Sequence, residues 1–415
     1  MRLQRIVNVA DARAAARRSL PAVVFDYIDG AADDEVTMGQ NTQAFGELSF
    51  RPRMAASTPS PDLSTTVLGT PVAMPVLLAP CGFVRAMHPD AGPGVARAAA
   101  SRGTVSVLST VAGSPVSEVA RAAPGRVWFQ LYSAGGRPAA EALMAQASAA
   151  GVSVLVVTLD TPALGNRERD IRHGVAAPLR IDARNAVHLG PQVLSRPGWV
   201  LRMARDGLFI LGTRNASREV PAGTDVRAGP GPAESHEPVT PGGVARPAGH
   251  RPHAGRIPTM TASPFSWDDV SWMREQWTGH LVVKGLLSGD DARRALGCGS
   301  DAVIVSNHGG RQLDGAPATL KVLPEVAAAV EESGSGAEVY LDSGVRRGTD
   351  VAKALALGAR AVLIGRPYLW GLAVGGQAGV ERVLDIFQAE LSRTMVLLGC
   401  AAVGELDRDW VQSSL

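Results

Sequence analysis

Cysteine is scarce in this chain: three in 415 residues, Cys81, Cys298 and Cys400, with no paired spacing and no histidine cluster beside them. A disulfide framework or a zinc site needs closer, repeated spacing, so neither is expected, and a reducing, cytoplasmic compartment is the plain reading. Long apolar runs are missing too. None approaches the roughly 18–20 residues that span a bilayer. The basic start (Arg2, Arg5) is not followed by an apolar run of signal-peptide length, and residues 11–18, DARAAARR, read as an amphipathic helix. Charge of one sign is not in excess: 41 Lys and Arg face 39 Asp and Glu, a net +2, so nothing global points to nucleic acid. What is abundant is apolar residue, 46% against 19% charged, which describes a globular protein with ample core.

That apolar content falls in short β-branched runs: VLLAP (76–80), TVSVLS (104–109), VWFQLY (127–132), VLVVTLD (154–160), LVVKG (281–285), AVIVSN (302–307), EVYLDSG (338–344) and AVLIGR (361–366). Several are apolar on consecutive positions, as strands covered on both faces should be. Ala-rich helical patterns lie between them at 92–102, 115–122, 137–150, 289–297, 320–332 and 348–358. Eight strand–helix alternations predict an α/β fold, a (β/α)8 TIM barrel, with a doubly wound sheet as runner-up. One domain over 1–415 is expected, with an N-terminal helical cap at 1–70 and the barrel at 71–171 and 261–400.

Residues 172–260 break the rhythm as a long insertion after the fourth strand, hence at the barrel mouth. Its first part, 172–218, holds Arg172, Arg180, Arg184, Arg196, Arg202, Arg205, Arg214 and Arg218 against only Asp182 and Asp206. It also carries Leu194, Trp199, Val200, Leu201, Leu208, Phe209 and Ile210. The second part, 219–258, is Pro, Gly and Ala with scattered charge, a composition that buries too little apolar area to offset ordering entropy; disorder is expected there.

Active sites of such barrels gather at the C-terminal strand ends. Here those ends carry Cys81 and Gly82, Ser109 and Thr110, Gln130 and Tyr132, Thr158 and Asp160, Lys284, Ser306 to His308, Asp342, and Gly365 with Arg366. Hydrogen-bonding side chains on all eight ends imply a large polar ligand. LDSGVRRG (341–348) and LIGRP (363–367) combine glycine, for close backbone approach, with arginine, for oxyanions. Each alone reads equally as a turn with solvated arginines, but the last two strands together favour phosphate. Lys284 ends an apolar strand, where a solvated lysine is unusual, although snorkelling to the rim is the alternative. SNHGGRQLD (306–314) supplies His308, the natural base near neutral pH, and Arg311, a carboxylate clamp. Asp160 is placed to orient the imidazole. Arg167 offers a second cation, or a surface turn arginine. Tyr27 and Tyr132, two of only four tyrosines, are phenols for a substrate oxygen or ordinary core residues.

These residues resemble the FMN-dependent 2-hydroxy-acid oxidases and dehydrogenases, the family of glycolate oxidase, quinone-linked L-lactate dehydrogenase and mandelate dehydrogenase. FDY..GAADDE, FRPR, AP.G, WFQLY, TLDTP to RERD, VVKG, SNHGGRQLD, DSGVRRGTD and IGRP match in order from about residue 8 to 410, lapsing in 213–260. The resemblance implies an FMN flavoprotein oxidoreductase with no metal. His308 would be the base, hydrogen-bonded to Asp160. Arg311 and Tyr27 would bind the substrate carboxylate with Arg167 assisting, and Tyr132 the hydroxyl oxygen. Lys284 would lie by the flavin N1–O2 edge. Pro80, Cys81 and Gly82, with Ser109, Gln130, Thr158 and Ser306, would hold the isoalloxazine. Asp342, Gly344, Arg346, Gly365 and Arg366 would take the ribityl chain and phosphate.

Gly82 stands where the family's oxidases tend to carry Ala, which favours quinone over O2 as acceptor. Val111 replaces the Trp of glycolate oxidase, leaving room for a longer side chain. Cys81 replaces the more usual Thr or Val at a largely backbone contact. The expectation is therefore L-lactate-like oxidation with quinone as acceptor, with (S)-mandelate, or an O2-using glycolate or lactate oxidase, as alternatives. The 172–218 segment is placed where membrane-associated relatives carry their membrane segment. It implies peripheral contact with the inner face of the cell membrane, or else a solvated lid. A homotetramer is implied. Two readings compete from outside this chemistry: an FMN-barrel isomerase or nucleotide dehydrogenase, and a non-catalytic scaffold.

Overall fold

The computed structural model describes residues 3–56, 60–174, 183–205 and 264–413, with the backbone alone at 183–188. Eight parallel strands close into a barrel: β1 (Val76–Leu78), β2 (Ser106–Ser109), β3 (Val127–Leu131), β4 (Val154–Thr158), β5 (His280–Leu286), β6 (Ala302–Val305), β7 (Glu338–Leu341) and β8 (Ala361–Ile364). Each pairs with its sequence neighbours, and β8 returns to β1 through Val362–Val76, Leu363–Leu77 and Ile364–Leu78. All eight apolar runs read as strands are these strands.

Nearly every strand residue is buried because both faces are covered. The inward face packs on itself through Leu77, Val107, Trp128, Val156, Ile304 and Tyr340; the outward face meets the helices in a second, larger cluster. The expected helices appear at Ala91–Ser101, Val116–Ala122, Gly136–Ala149, Gly289–Gly297, Thr319–Glu332 and Gly348–Ala356. The Trp267–Gln276 helix, which no sequence signal had flagged, starts at Ser266, whose hydroxyl caps Asp269 N–H while the Asp269 carboxylate caps back. A 33-residue helical segment, Arg366–Leu398, kinks at Gly375 and Gly376 and ends at left-handed Gly399.

The N-terminal segment forms α1 (Val9–Ser19), α2 (Ala22–Asp29) and α3 (Val36–Gly46). A hairpin, Thr65–Val67 with Thr70–Val72, turns through Leu68 and Gly69, both at positive φ. Its Val67 and Val72 close the bottom of the barrel interior. Leu48–Phe50 pairs antiparallel with Val411–Ser413, tying the two ends of the chain together.

Within the Arg-rich segment lie two short helices, α8 (Ala183–Leu194) and α9 (Pro197–Arg205), counted after α4–α6 (the helices following β1 to β3) and α7 (Glu168–Arg172). Leu189, Trp199 and Met203 are buried, while Leu194 and Leu201 remain 76% and 59% exposed. The Pro/Gly stretch expected to be disordered, 219–258, lies outside the described residues. Among the described residues no helix is long and apolar enough to cross a membrane.

Candidate active site

Successive residues of a strand face opposite sides, so the interior core specifies what comes next. Ala79, Val107, Trp128, Val156, Val282, Ile304, Tyr340 and Leu363 all point inward. Two residues beyond each stand Cys81, Ser109, Gln130, Thr158, Lys284, Ser306, Asp342 and Gly365. The alternation that packs the core therefore delivers one layer at the C-terminal mouth, polar except for Cys81 and Gly365.

Six of these side chains, those of Ser109, Gln130, Thr158, Lys284, Ser306 and Asp342, are buried. Lys284 Nζ donates to Ser306 Oγ at 2.6 Å and lies 3.0 Å from Asp342 Oδ2. Burial pushes its pKa down, but the carboxylates of Asp342 and Asp160 outweigh that and hold it above the ordinary lysine value. Lys284 is a buried, charged ammonium, not a rim residue. Ser109 Oγ donates to Gln130 Oε1 at 2.8 Å. Among the described residues, buried Gln130 Nε2 and Thr158 Oγ1 have no hydrogen-bond partner. Unpaired buried polar groups cost about 1–3 kcal/mol each, and two of them in one ring call for a polar ligand.

Just above this layer His308 Nδ1 meets Asp160 Oδ1 at 3.0 Å, and His308 Nε2 lies 3.4 Å from the Tyr132 hydroxyl. His308 sits at φ 58°, a left-handed conformation that costs a non-glycine residue about 1–2 kcal/mol. Its N–H donates to Ser306 Oγ at 3.1 Å, and Gly309 N–H donates to Ser343 Oγ at 2.9 Å. Gly285, at φ 104°, lets Asp160 approach: a Cβ there would fall 2.7 Å from Asp160 Cβ. Burial lowers the His308 pKa more than Asp160 raises it, so the imidazole is neutral at pH 7. Burial also raises Asp160, but His308 and Lys284 prevail and keep the carboxylate ionised. Burial, reinforced by Asp160, pushes the Tyr132 phenol up, so it stays protonated.

Beside this pair lie Tyr27, Arg167 and Arg311. Arg311 Nη1 donates to the carbonyls of Tyr27 (2.7 Å) and Gly30 (2.9 Å), and its guanidinium stands 5.0 Å over the Tyr27 ring. The Tyr27 hydroxyl lies 3.3 Å from where a Cβ on Gly82 would be. Arg167, ahead of α7, is pushed down to about 10 by burial and by Arg311, and its Nε finds no hydrogen-bond partner among the described residues. Two part-buried guanidiniums that repel one another mark a place for an anion.

A second such place lies beyond the C-terminal ends of β7 and β8. Among the described residues the Arg346 guanidinium donates only to Val345 O (2.9 Å), and burial pushes it down to about 10. Arg366 donates to the carbonyls of Ile28, Gly309 and Gly30, and burial with Arg311 and Arg346 pushes it to about 9. The sequence-predicted residues thus converge in one mouth, with two unpaired polar atoms in the middle layer and clustered guanidiniums at either side. FMN fits this arrangement: an amide-rich ring system for the layer of Gln130 and Thr158, and a phosphate for Arg346 and Arg366.

Sequence reasoning missed several connectors. Gln312 donates to the carbonyls of Asp160 (2.8 Å) and Ala163 (2.7 Å), fixing the Asp160 loop. Arg169 joins Asp29 (3.1 Å) and Glu35, while Arg13 grips Asp29 through two bonds of 2.6 and 2.7 Å. His173 Nε2 meets Asp26 Oδ2 at 2.7 Å. Trp199, in the segment read as membrane-seeking, is buried and donates Nε1–H to Ala86 O at 3.0 Å. The apolar surface there is carried by Leu194 and Leu201 instead.

A closed eight-strand barrel whose mouth gathers an imidazole, a carboxylate and clustered guanidiniums is the arrangement of a flavin-dependent oxidoreductase. The family model described as FMN-dependent dehydrogenase matches residues 16–413, and the chain belongs to that family, the FMN flavoproteins that oxidise 2-hydroxy acids. It is 40% identical to "Pre-mycofactocin synthase" of Mycobacterium tuberculosis over 399 residues, 96% of this chain and 92% of the relative. It is 39% identical to "L-lactate oxidase" of Nostoc sp. over 410 residues, 98% of both chains. To human "2-Hydroxyacid oxidase 1" it is 38% identical over 413 residues, 99% and 98% of the two chains. Among solved structures, a monotopic membrane protein, (S)-mandelate dehydrogenase, superposes with a TM-score of 0.82 at 35% identity, covering 98% of this chain and 99% of that one.

Proposed function

We propose that this enzyme oxidises a small (S)-2-hydroxy acid of the L-lactate kind to the 2-oxo acid and passes the electrons to a quinone. The observation that carries the reading is the His308 imidazole held between Asp160 and Tyr132, with Arg311, Arg167 and Tyr27 beside it.

Arg311 and Tyr27, helped by Arg167, bind the carboxylate. Guanidinium forks suit that group, and their own repulsion is relieved by it. Tyr132 takes the hydroxyl oxygen. Asp160 accepts a hydrogen bond from His308 Nδ1–H, which leaves the lone pair on Nε2 as the base. When Nε2 gains the substrate's proton, Asp160, 3.0 Å away, stabilises the imidazolium. The isoalloxazine would be held by Pro80, Cys81, Gly82, Ser109, Gln130, Thr158 and Ser306, and the Lys284 ammonium would stabilise negative charge on the reduced ring. Asp342, Gly344, Arg346, Gly365 and Arg366 would hold the ribityl phosphate. FMN, when bound, supplies the two-electron acceptor that the protein's own side chains lack.

Quinone is preferred over O2 because Gly82 stands where the family's oxidases tend to carry Ala. A Cβ there would lie 3.0 Å from Val111 Cγ2, so a methyl group would demand adjustment. Anaerobic bleaching by a panel of (S)-2-hydroxy acids, scored by rate, tests the substrate class and separates lactate from mandelate. Mixing the reduced enzyme with quinone or O2 tests the acceptor. Fast reoxidation by O2 would overturn the quinone reading, and no bleaching by any 2-hydroxy acid would overturn the whole.

We infer further that the exposed face of α8 and α9 rests on the cytoplasmic membrane surface. Leu194 and Leu201 stand out beside exposed Arg205, a pairing suited to an anionic bilayer interface. A quinone dissolved in that bilayer would meet the barrel mouth there. A homotetramer is the assembly proposed.

A further inference from the structure

His308 is the first of three consecutive left-handed residues, followed by Gly309 at φ 69° and Gly310 at φ 76°. Such a loop holds its shape only if the surroundings impose it. The restraint comes from the N-terminal cap. Asn41 on α3 and Asn307 form a reciprocal pair of side-chain amides: Asn41 Nδ2 donates to Asn307 Oδ1 at 2.9 Å, and Asn307 Nδ2 donates to Asn41 Oδ1 at 2.8 Å. The two are 2% and 4% exposed.

Backbone groups fix which way both amides point. Asn41 Oδ1 also accepts from Thr319 N–H (3.2 Å), Asn307 Oδ1 accepts from Gly310 N–H (3.2 Å), and Asn307 Nδ2 donates to Pro317 O (3.0 Å). Asn307 thereby makes all four hydrogen bonds its carboxamide allows. The clasp grips the His308 loop at both ends, at 307 and at 317–319. It reaches the β7 loop as well: Thr319 Oγ1 donates to Asp342 O at 2.7 Å, and a Cβ on Gly344 would lie 2.2 Å from Asn41 O.

We propose that Asn41 is a positioning residue for the reaction, setting the His308 imidazole relative to Asp160 and to the Asp342–Gly344 turn. The inference rests on His308 being the base. Asn41 touches none of the groups assigned to substrate, so it acts through Asn307. Arg311, in the same loop, is anchored separately on Tyr27 O and Gly30 O. Loss of the clasp therefore loosens the base while the carboxylate clamp stays.

The test compares FMN-loaded wild type, Asn41→Ala and the isosteric Asn41→Asp, which keeps the acceptor for Thr319 N–H and loses the donor to Asn307. Misplacing a catalytic group by about 1 Å costs on the order of 100-fold. In anaerobic stopped flow, the limiting rate of flavin bleaching by the best 2-hydroxy acid is expected to fall about 10- to 100-fold in Asn41→Ala and by less in Asn41→Asp, with the hydroxy-acid Kd within about twofold. Nitrogen-15 NMR of the FMN-loaded protein should find the His308 proton on Nδ1 in wild type and spread over both ring nitrogens in Asn41→Ala. Limiting rates within about twofold of wild type in both variants, or losses matching lost FMN alone, would overturn the proposal while leaving the function standing. If Asn41→Ala does not fold, Asn41→Asp decides by the same criteria. A wild-type protein that no 2-hydroxy acid bleaches would overturn both.

Discussion

Replacing Asp160 by asparagine removes one charge and almost no volume from the centre of the site. The Asp160 carboxylate lies 3.0 Å from His308 Nδ1, and both groups are largely buried. Two unit charges about 4 Å apart at an effective dielectric near 20 attract by about 4 kcal/mol. That attraction exists only once the imidazole has taken a proton, so it stabilises the protonated state and not the resting one. At about 1.4 kcal/mol per decade its loss slows the reductive half-reaction by roughly a thousandfold. A second effect points the same way. An asparagine amide facing Nδ1 can donate to it, which moves the ring proton to Nε2 and blocks the base. The pH profile carries a sign as well. The limiting rate rises with pH as His308 loses its proton, and burial places that rise below the ordinary value of 6.5. Asp160 opposes that lowering, so Asp160→Asn should move the rise to still lower pH. The assay is anaerobic stopped flow at saturating substrate from acid to mildly alkaline pH. A limiting rate within about threefold of wild type at the alkaline end would refute the assignment of Asp160 and His308 as one unit.

Thr158→Val removes a buried hydroxyl that has no partner among the described residues, so the FMN-free protein should melt at the same or a higher temperature while FMN binds more weakly. Calorimetry and fluorescence titration read the two effects, and unchanged FMN affinity would count against the ring as the flavin site. Lys284→Met leaves Asp342 buried without its cation and should cost about 3–5 kcal/mol, seen in denaturant unfolding of the loaded enzyme; a loss below about 1 kcal/mol would mean the pair is not closed. Arg311→Lys keeps the charge but loses the fork and the carbonyl anchors. It should raise the hydroxy-acid Kd about 10- to 100-fold, and an unchanged Kd would remove Arg311 from the clamp. Leu194→Glu with Leu201→Glu should abolish flotation with anionic vesicles while leaving reduction by substrate intact, and undiminished flotation would reject the α8–α9 face as the membrane contact.

The polar layer was legible because the spacing of two residues along a strand does not depend on the rest of the fold. Once Trp128, Val156, Val282 and Tyr340 are inside a barrel, Gln130, Thr158, Lys284 and Asp342 must face its mouth. The connectors obey no such rule. Asn41 and Asn307 lie 266 positions apart, Gln312 and Asp160 lie 152 apart, and Arg169 and Asp29 lie 140 apart. No periodic pattern announces a partner at that distance, and each alone reads as a surface amide or an ordinary helix charge. Trp199 shows the converse. An aromatic in an arginine-rich stretch reads as surface-seeking, yet a packing partner and the Ala86 carbonyl were available to bury it. What alternation cannot supply is therefore the join between cap and barrel, where α2 brings Tyr27 and α3 brings Asn41. The strands decide which groups meet the flavin and substrate; the cap decides how firmly the His308 loop holds its left-handed course, and a substitution in α3, far from substrate in sequence, should be felt in the rate before it is felt in binding.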